Sequence, residues 1–374
     1  MNIVYFGSMR IGRPNGPGLN EKDFLQDLEN RSGINLFVYA PIEQGCTLNT
    51  QKIRIVRNVV GYPVLREIHA ATLLCLDIIR KLVKPDVVVF RLGQLPLIQL
   101  AVIKILKFFD IPTHVKTVGV GICDVSQKRG LLNYVTFVLL RSIFRAIDSI
   151  DTPTELARRR ITDTFKLSGA KVILVGNGAK DVSLDAQLSK VQGSTCYGYV
   201  GRFPVKRGGR QVIETVSHSL KLGLQATGLI TGDNKEIAEL KVLAESLGVS
   251  NKINFVGIVP QEEVAFLLSK IDVGFSIVEG ILGTAGQKLR QYLMHGCMVV
   301  YGNDELMDSL KEEFIVPFID PEHVLSRLVN SNGQVHLVSR DVIHKWARQN
   351  VSYSSFNSVR VNHLLKFSTH YKIG

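Results

Sequence analysis

The chain has 374 residues, with 45 Lys+Arg against 33 Asp+Glu and a formal net charge of +12. Hydrophobic residues make up 45% and charged residues 21%, which excludes a disordered or fibrous chain. At about 150 residues per domain the length points to two domains, each large enough for its own core.

The charge is uneven: residues 1–190 carry +10 and residues 191–374 carry +2. One half is therefore expected to face something anionic, with nucleic acid, a membrane surface and a phosphorylated substrate as candidates. Cys46, Cys75, Cys123, Cys196 and Cys297 are widely spaced, with no CxxC and no Cys/His cluster. Buried, reduced thiols in a cytosolic protein are expected, not a disulfide framework or a zinc site. The opening MNIVYFGSMRIG lacks a charged leader and a full apolar signal region, so no export is expected. The uncharged runs Leu92–Ile103 and Leu131–Leu140 are about half of a membrane span.

Short apolar runs alternate with longer amphipathic ones. Asn2–Phe6 (NIVYF) reads as a strand followed by a glycine-rich loop, and Glu21–Arg31 as a helix. Asn35–Tyr39 is a strand, Ala70–Leu82 a helix, Asp86–Phe90 (DVVVF) a strand and Leu97–Phe109 a helix. Thr113–Val118 is a strand, Leu131–Ala146 a long apolar helix, Ser149–Thr152 a strand, Pro153–Phe165 a helix and Lys171–Val175 a strand. The polar Asp181–Gly193 reads as a linker, and the pattern restarts after it. Strands are predicted at Cys196–Val200, Gln225–Thr231, Lys252–Val256, Asp272–Ile277 and Cys297–Tyr301. Helices are predicted at Gln211–Leu222, Lys235–Leu247, Glu262–Lys270 and Leu289–His295. Continuous apolar strands between helices predict parallel sheets covered on both faces. Two such repeats in tandem predict an α/β protein of two Rossmann-like domains facing a cleft. The domains are expected at 1–180 and 196–338, with a linker at 181–195. A helical segment at 339–374 is expected to pack back across them.

The strand CYGYV runs into GRFPVKRGG, residues 201–209, where three cations and three glycines share nine positions. Such a strand-to-helix turn suits a diphosphate. Glycines let backbone N–H groups approach, the following helix adds a positive end, and Arg202 and Arg207 can fork onto phosphate oxygens. A solvated basic turn is the plainer reading. The order of the segments downstream of the turn favours the phosphate reading. Thr227–Gly232 is a strand ending in glycine, and Leu247–Gly257 is a helix end, a strand and a glycine turn. Asp272–Gly280 ends in Glu279 and Gly280, and Lys288–Val300 is a helix, a glycine and a strand.

This succession resembles the retaining GT-B fold glycosyltransferases of the large family 4 group. The likeness covers residues 197–301, and Val175–Gly178 and Asp151–Glu155 add earlier agreement. The resemblance implies transfer of a sugar from a nucleoside-diphosphate sugar to a glycan or lipid-linked hydroxyl, with retention. It implies that Arg202 and Arg207 stabilise the leaving diphosphate and that Glu279 contacts the donor sugar. Gly201, Gly257, Ile258, Gly283 and Lys288 would complete the donor site, with Gly16 and Gly18 beneath the donor from the other domain. Gln291 stands where the family has a ribose-binding glutamate, and as a neutral acceptor it would bind the ribose more weakly. The gap from Glu279 to Gln291 is also longer than the family's, which leaves room for a glycine turn at Gly283–Gly286. No Asp-x-Asp is present, so no metal and no cofactor beyond the donor are expected, and cations replace the metal. A dedicated side-chain base is not expected.

The N-terminal half is harder to read. His114 and Asp124 are candidate acceptor contacts, with a structural role as the alternative. Arg10 and Arg13, beside the glycine loop, are either phosphate ligands or solvated. Gln127–Ile150 reads either as a buried helix with snorkelling cations or as a helix lying on an anionic membrane, extended by Lys104, Lys107, Phe108 and Phe109. A cytoplasmic protein, peripheral on the inner face of the membrane, is the corresponding location. A nicotinamide enzyme is disfavoured because Gly12, Gly16 and Gly18 lack the GxGxxG spacing. Nucleic-acid binding lacks any recognition motif. A catalytically inactive sugar-nucleotide-binding or scaffold protein on the same fold is the remaining alternative.

Overall fold

A computed structural model describes residues 1–12, 16–43, 46, 48, 62–93, 95–117, 123, 130–176, 178–184, 193–277, 287–302 and 310–373. The chain divides into two compact units, Met1–Asn177 with Phe356–Gly374, and Gly178–Ser355.

The first unit holds strands β1 (Asn2–Phe6), β2 (Asn35–Tyr39), β3 (Val87–Arg91), β4 (Thr113–Lys116), β5 (Ser149–Thr152) and β6 (Val172–Leu174). They form one sheet in the order β2-β1-β3-β4-β5-β6, with every pairing parallel. Its helices are α1 (Gly16–Glu29), α2 (Pro63–Ile79), α3 (Pro96–Phe108), α4 (Leu131–Ala146) and α5 (Glu155–Phe165). Side chains alternate across a strand, so each strand feeds two cores. Val4, Phe6, Val88 and Phe90 pack against α2–α5 through Leu74, Ile103, Phe144 and Phe165. Ile3, Tyr5, Val87 and Val89 face the other way and meet Phe24, Leu25 and Leu28 of α1. Covering both faces is what makes these strands read as unbroken apolar runs.

The second unit holds β7 (Thr195–Tyr199), β8 (Ala226–Thr231), β9 (Ile253–Gly257), β10 (Val273–Ile277), β11 (Met298–Gly302) and β12 (Ile315–Pro317). The sheet order is β12-β11-β10-β7-β8-β9, again parallel. Its helices are α6 (Gly209–Lys221), α7 (Asn234–Ser246), α8 (Gln261–Lys270), α9 (Gln287–Met294), α10 (Pro321–Leu328) and α11 (Arg340–Asn350). Gly274 lets the Tyr292 ring lie against the sheet, since a Cβ there would come within 2.4 Å of that ring. The Tyr292 hydroxyl then reaches the Val200 N–H at 2.9 Å, beyond the end of β7.

The predicted single C-terminal helix is two. After α11 the chain breaks at Val351 and Ser352, and α12 (Tyr353–Ile373) follows. The break is pinned by Ala179, whose N–H donates to the Val351 carbonyl at 3.0 Å and whose carbonyl accepts from Tyr353 N–H at 2.9 Å. A Cβ on Gly178 would fall 2.4 Å from the Tyr353 nitrogen, and one on Gly176 would fall 2.4 Å from the Phe356 ring. Within the first unit, α12 is held by Arg360, which donates to Asp151, and by Asn357, which donates to Asp27 at 2.8 Å.

Among the described residues no helix is long and apolar enough to cross a membrane. Cys123 and Cys297 are buried, while Cys46, Cys75 and Cys196 keep part of their surface exposed.

Candidate functional site

The turn from β7 to α6 is fixed by its own backbone and by side chains around it. Gly201 N–H donates to the Thr231 hydroxyl at 2.7 Å, and that hydroxyl donates back to the Gly201 carbonyl at 3.2 Å. The Pro204 carbonyl accepts from Arg207 N–H at 3.2 Å and Gly209 N–H at 2.7 Å. Gly208, at φ +120°, sits in a region that L side chains rarely adopt. The outer side of the turn is tied to α7, because Val205 N–H donates to Glu236 at 2.9 Å and Asp233 N–H donates to the Arg202 carbonyl at 2.9 Å. Arg202, Lys206 and Arg207 project from this rigid turn as exposed side chains. Among the described residues none of the three forms an ion pair. The turn opens α6, so its cations stand beside the positive end of a helix dipole.

A fourth cation completes the group. Lys288, at the start of α9, donates to the Tyr199 hydroxyl at 2.7 Å, and its Nζ lies 3.9 Å from the centre of that ring. The same hydroxyl donates to the Phe203 carbonyl at 3.1 Å. A Cβ on Gly201 would fall 1.9 Å from Lys288 Nζ, so the glycine makes room for the ammonium. Burial, then the positive charge of Arg207, lowers the Lys288 pKa to about 7. Burial pushes the Tyr199 hydroxyl well up, so it stays protonated. An array of cations without a carboxylate partner, on a turn that offers backbone N–H groups, is built to receive an anion.

The remaining predicted donor residues divide into three sets. Gly257 ends β9 at φ +79°, and its carbonyl accepts from Gly232 N–H at 2.9 Å. This joins the β9 end to the β8–α7 loop, with Ile258 exposed beyond it. Gln291 lies on α9, one turn after Lys288, and is partly exposed. Glu279 and Gly283 fall outside the described residues.

Residues 169–308 match the glycosyl transferases group 1 family model. The match covers less than half of the chain. The turn, Lys288 and Gln291 all lie within the matched residues. Over 153 residues the chain is 26% identical to the 2-deoxystreptamine glucosyltransferase of Streptomyces kanamyceticus. That stretch is 40% of this chain and 36% of the relative, so about a third of the relative's length is matched. Among solved structures, HepE of Anabaena in complex with UDP superposes with a TM-score of 0.67 at 12% identity, over 98% of this chain and 100% of that one. The apo lipopolysaccharide outer core galactosyltransferase WaaB gives 0.63 at 14% identity, over 99% and 100%. At these identities the likeness is one of fold, and the fold is GT-B.

The first unit corrects the expectation for the glycine loop and settles His114 in its structural reading. Gly16 and Gly18 do not lie in a loop; they form the first turn of α1, which starts five residues earlier than the apolar spacing predicts. A helix tolerates glycines in its first turn, and the Gly18 carbonyl there accepts from Gly12 N–H at 3.0 Å. His114 does not line a binding surface. It is fully buried, with Nδ1 bonded to the Ser149 hydroxyl at 2.8 Å and Nε2 to Asp151 at 3.2 Å. It holds β4 to β5 beneath α12. Asp124 falls outside the described residues.

Sequence reasoning missed two groups. Tyr199 reads as a core aromatic, and only its place two residues before Gly201 marks it. The second group centres on buried Glu21 of α1, whose Oε1 accepts from Arg91 and Lys116, each at 2.6 Å, and whose Oε2 accepts from Tyr5 at 2.9 Å. Burial alone would raise the Glu21 pKa, but Lys116 and Arg91 bring it down to about 2. Arg91 and Lys116 end β3 and β4, so this network closes the C-terminal edge of the sheet against α1. Among the described residues, no three His, Cys, Asp or Glu cluster as a metal site would.

Proposed function

We propose that this chain is a glycosyltransferase that moves a sugar from a nucleoside-diphosphate sugar to a hydroxyl of a glycan or lipid-linked acceptor, with retention and without a metal. The observation that carries this is the rigid Gly201–Gly209 turn, with Arg202 and Arg207 exposed and Lys288 beside them, inside the family segment. As the sugar–oxygen bond breaks, the departing diphosphate gains a negative charge. Two guanidinium forks and an ammonium near that oxygen stabilise the charge as it forms, and a fixed turn needs no reorganisation to do so. In this reading Glu279 contacts the donor sugar, and Gly257 and Ile258 border the base. Gln291 accepts from the ribose through its amide oxygen, and a donor phosphate oxygen helps to take the acceptor proton. HepE was solved with UDP, which supports a uridine donor as the first to test.

The first unit supports an acceptor presented at an anionic membrane. Helices α2, α3 and α4 pack in a row on one face of its sheet. Their outer residues include Leu65, Ile79, Leu97, Phe108, Leu131, Leu132 and Tyr134, all exposed, with Leu131 at 80% and Leu132 at 79%. The exposed charges on these helices have one sign, although exposed Asp110 follows α3 and Asp148, after α4, pairs with Lys107. Helices α3 and α4 contain no acidic residue, and the two acids of α2, Glu67 and Asp77, are buried. Lys104 and Arg145 are exposed on the same helices. An apolar face whose helices expose positive charges fits a lipid surface that carries negative headgroups.

The direct test is turnover. Purified protein is incubated with UDP-glucose, GDP-mannose or ADP-glucose, vesicles of phosphatidylglycerol and a saccharide acceptor mixture. Release of the nucleoside diphosphate together with glycosylated acceptor is expected, unchanged by EDTA, with the donor's anomeric configuration kept in the product. Donor binding without turnover would convert the reading into that of a scaffold, and an inverted product would refute retention.

A further inference from the structure

The Lys288 ammonium has an unusual set of neighbours. From β7 it meets the Tyr199 hydroxyl, whose own proton is committed to the Phe203 carbonyl. From the turn it feels Arg207, of like charge. On its own helix the Tyr292 hydroxyl is engaged by Val200 N–H. From α7, Glu236 is occupied by Val205 N–H. No carboxylate reaches Lys288 among the described residues, and the space above Gly201 is filled by the ammonium itself.

An ammonium in this position meets no opposite charge among the described residues. With no anion present, its charge is opposed by burial and by Arg207. With a diphosphate present, the attraction of the anion's two charges outweighs both of those penalties. We propose that Lys288 takes up a proton from solvent when the donor diphosphate binds, so that donor binding by this chain is coupled to protonation at that one nitrogen. In the step, a neutral Nζ amine gains a proton and becomes an ammonium that donates to a phosphate oxygen, and no other bond changes. The inference rests on the nucleoside-diphosphate-sugar reading of the turn. It adds that the site is set to bind at or below neutral pH and to weaken above it. The sign comes from linkage. The bound state holds more protons than the free state, so affinity falls as pH rises above the free-state value of about 7.

Calorimetric titration tests this. UDP-glucose, GDP-mannose and ADP-glucose are suitable probes because their bridging phosphates do not titrate near neutral pH. Each is titrated into the full chain in buffers of different ionisation heat, at steps from pH 6 to pH 8.5. Expected is uptake of a large fraction of one proton per donor at pH 8, little uptake at pH 6, and affinity falling up to about tenfold per pH unit above 7. Lys288→Arg, which stays charged, is expected to bind with no uptake and a flat pH profile. Lys288→Met is expected to bind weakly at every pH, with its folding checked by circular dichroism. Binding with no proton uptake in the native chain, or uptake that persists in Lys288→Arg, overturns the inference and leaves the donor reading standing. No binding by any of the three donors overturns the donor reading, and the inference with it.

Discussion

Gly201 and Lys288 occupy one space: a Cβ on the glycine would fall 1.9 Å from the lysine Nζ and 2.8 Å from the Tyr199 hydroxyl. The nearer group is the far end of a flexible side chain, and Gly201 does not have a positive φ. Gly201→Ala is therefore expected to fold, with a stability loss of about 1 kcal/mol or less. Lys288 must leave its place to make room. Donor affinity is expected to fall at least tenfold while the urea midpoint barely moves. Unchanged affinity would show that Lys288 does not serve the site from where it stands.

The Glu21 network makes a separate, pH-dependent prediction for the first unit. The folded-state pKa, about 2, lies below the ordinary value of 4.5. The contribution is therefore fully present above the unfolded value, and it is lost as pH falls from about 4.5 towards 2. Glu21→Gln leaves Arg91 and Lys116 buried without their carboxylate. A loss of about 3 kcal/mol at pH 7 is expected, with a flatter stability profile between pH 5 and pH 3. Urea unfolding followed by circular dichroism at several pH values reads both effects.

At the membrane face, Leu131 and Leu132 are mostly exposed, so Leu131→Ser with Leu132→Ser removes little packing. Binding to vesicles of phosphatidylglycerol is expected to drop about a hundredfold or more, because each leucine loses roughly 1.5–3 kcal/mol of burial in lipid. The melting temperature is expected to stay put. In the native chain, binding should weaken in high salt and with neutral phosphatidylcholine. A stable dimer at this face in solution, with no vesicle binding, would assign the face to a second copy instead.

Local pattern carried most of the fold. The predicted strands Asn2–Phe6, Asn35–Tyr39 and Ser149–Thr152 and the helix Leu131–Ala146 match residue for residue. The rest shift mostly by one or two positions, as element ends do. Helix α2 begins seven residues before its predicted start, with Pro63 in its first turn. The short β12 and α10 have too few apolar residues to signal a period. The break at Val351 was invisible because it depends on Ala179, far away in the chain. The same reason explains the site. The turn's cations and glycines are contiguous and were legible, as was Lys288. Tyr199, Arg91, Lys116 and Glu21 owe their roles to contacts that only the folded sheet brings together. His114 stays open between its two readings in sequence because a histidine at a strand start looks alike whether it faces solvent or lies beneath a helix.

The central claim is that the Gly201–Gly209 turn binds a nucleoside diphosphate. Its most direct measurement is the melting temperature of the full chain with millimolar UDP, GDP and ADP, compared with the chain carrying Arg202→Ala and Arg207→Ala. Both arginines are exposed, so the variant should melt close to the native chain when no nucleotide is present. One nucleotide is expected to raise the native melting temperature by several degrees, as binding to the folded state requires. That rise is expected to vanish in the double variant. No rise with any nucleotide, or a rise that survives loss of both arginines, would contradict the account.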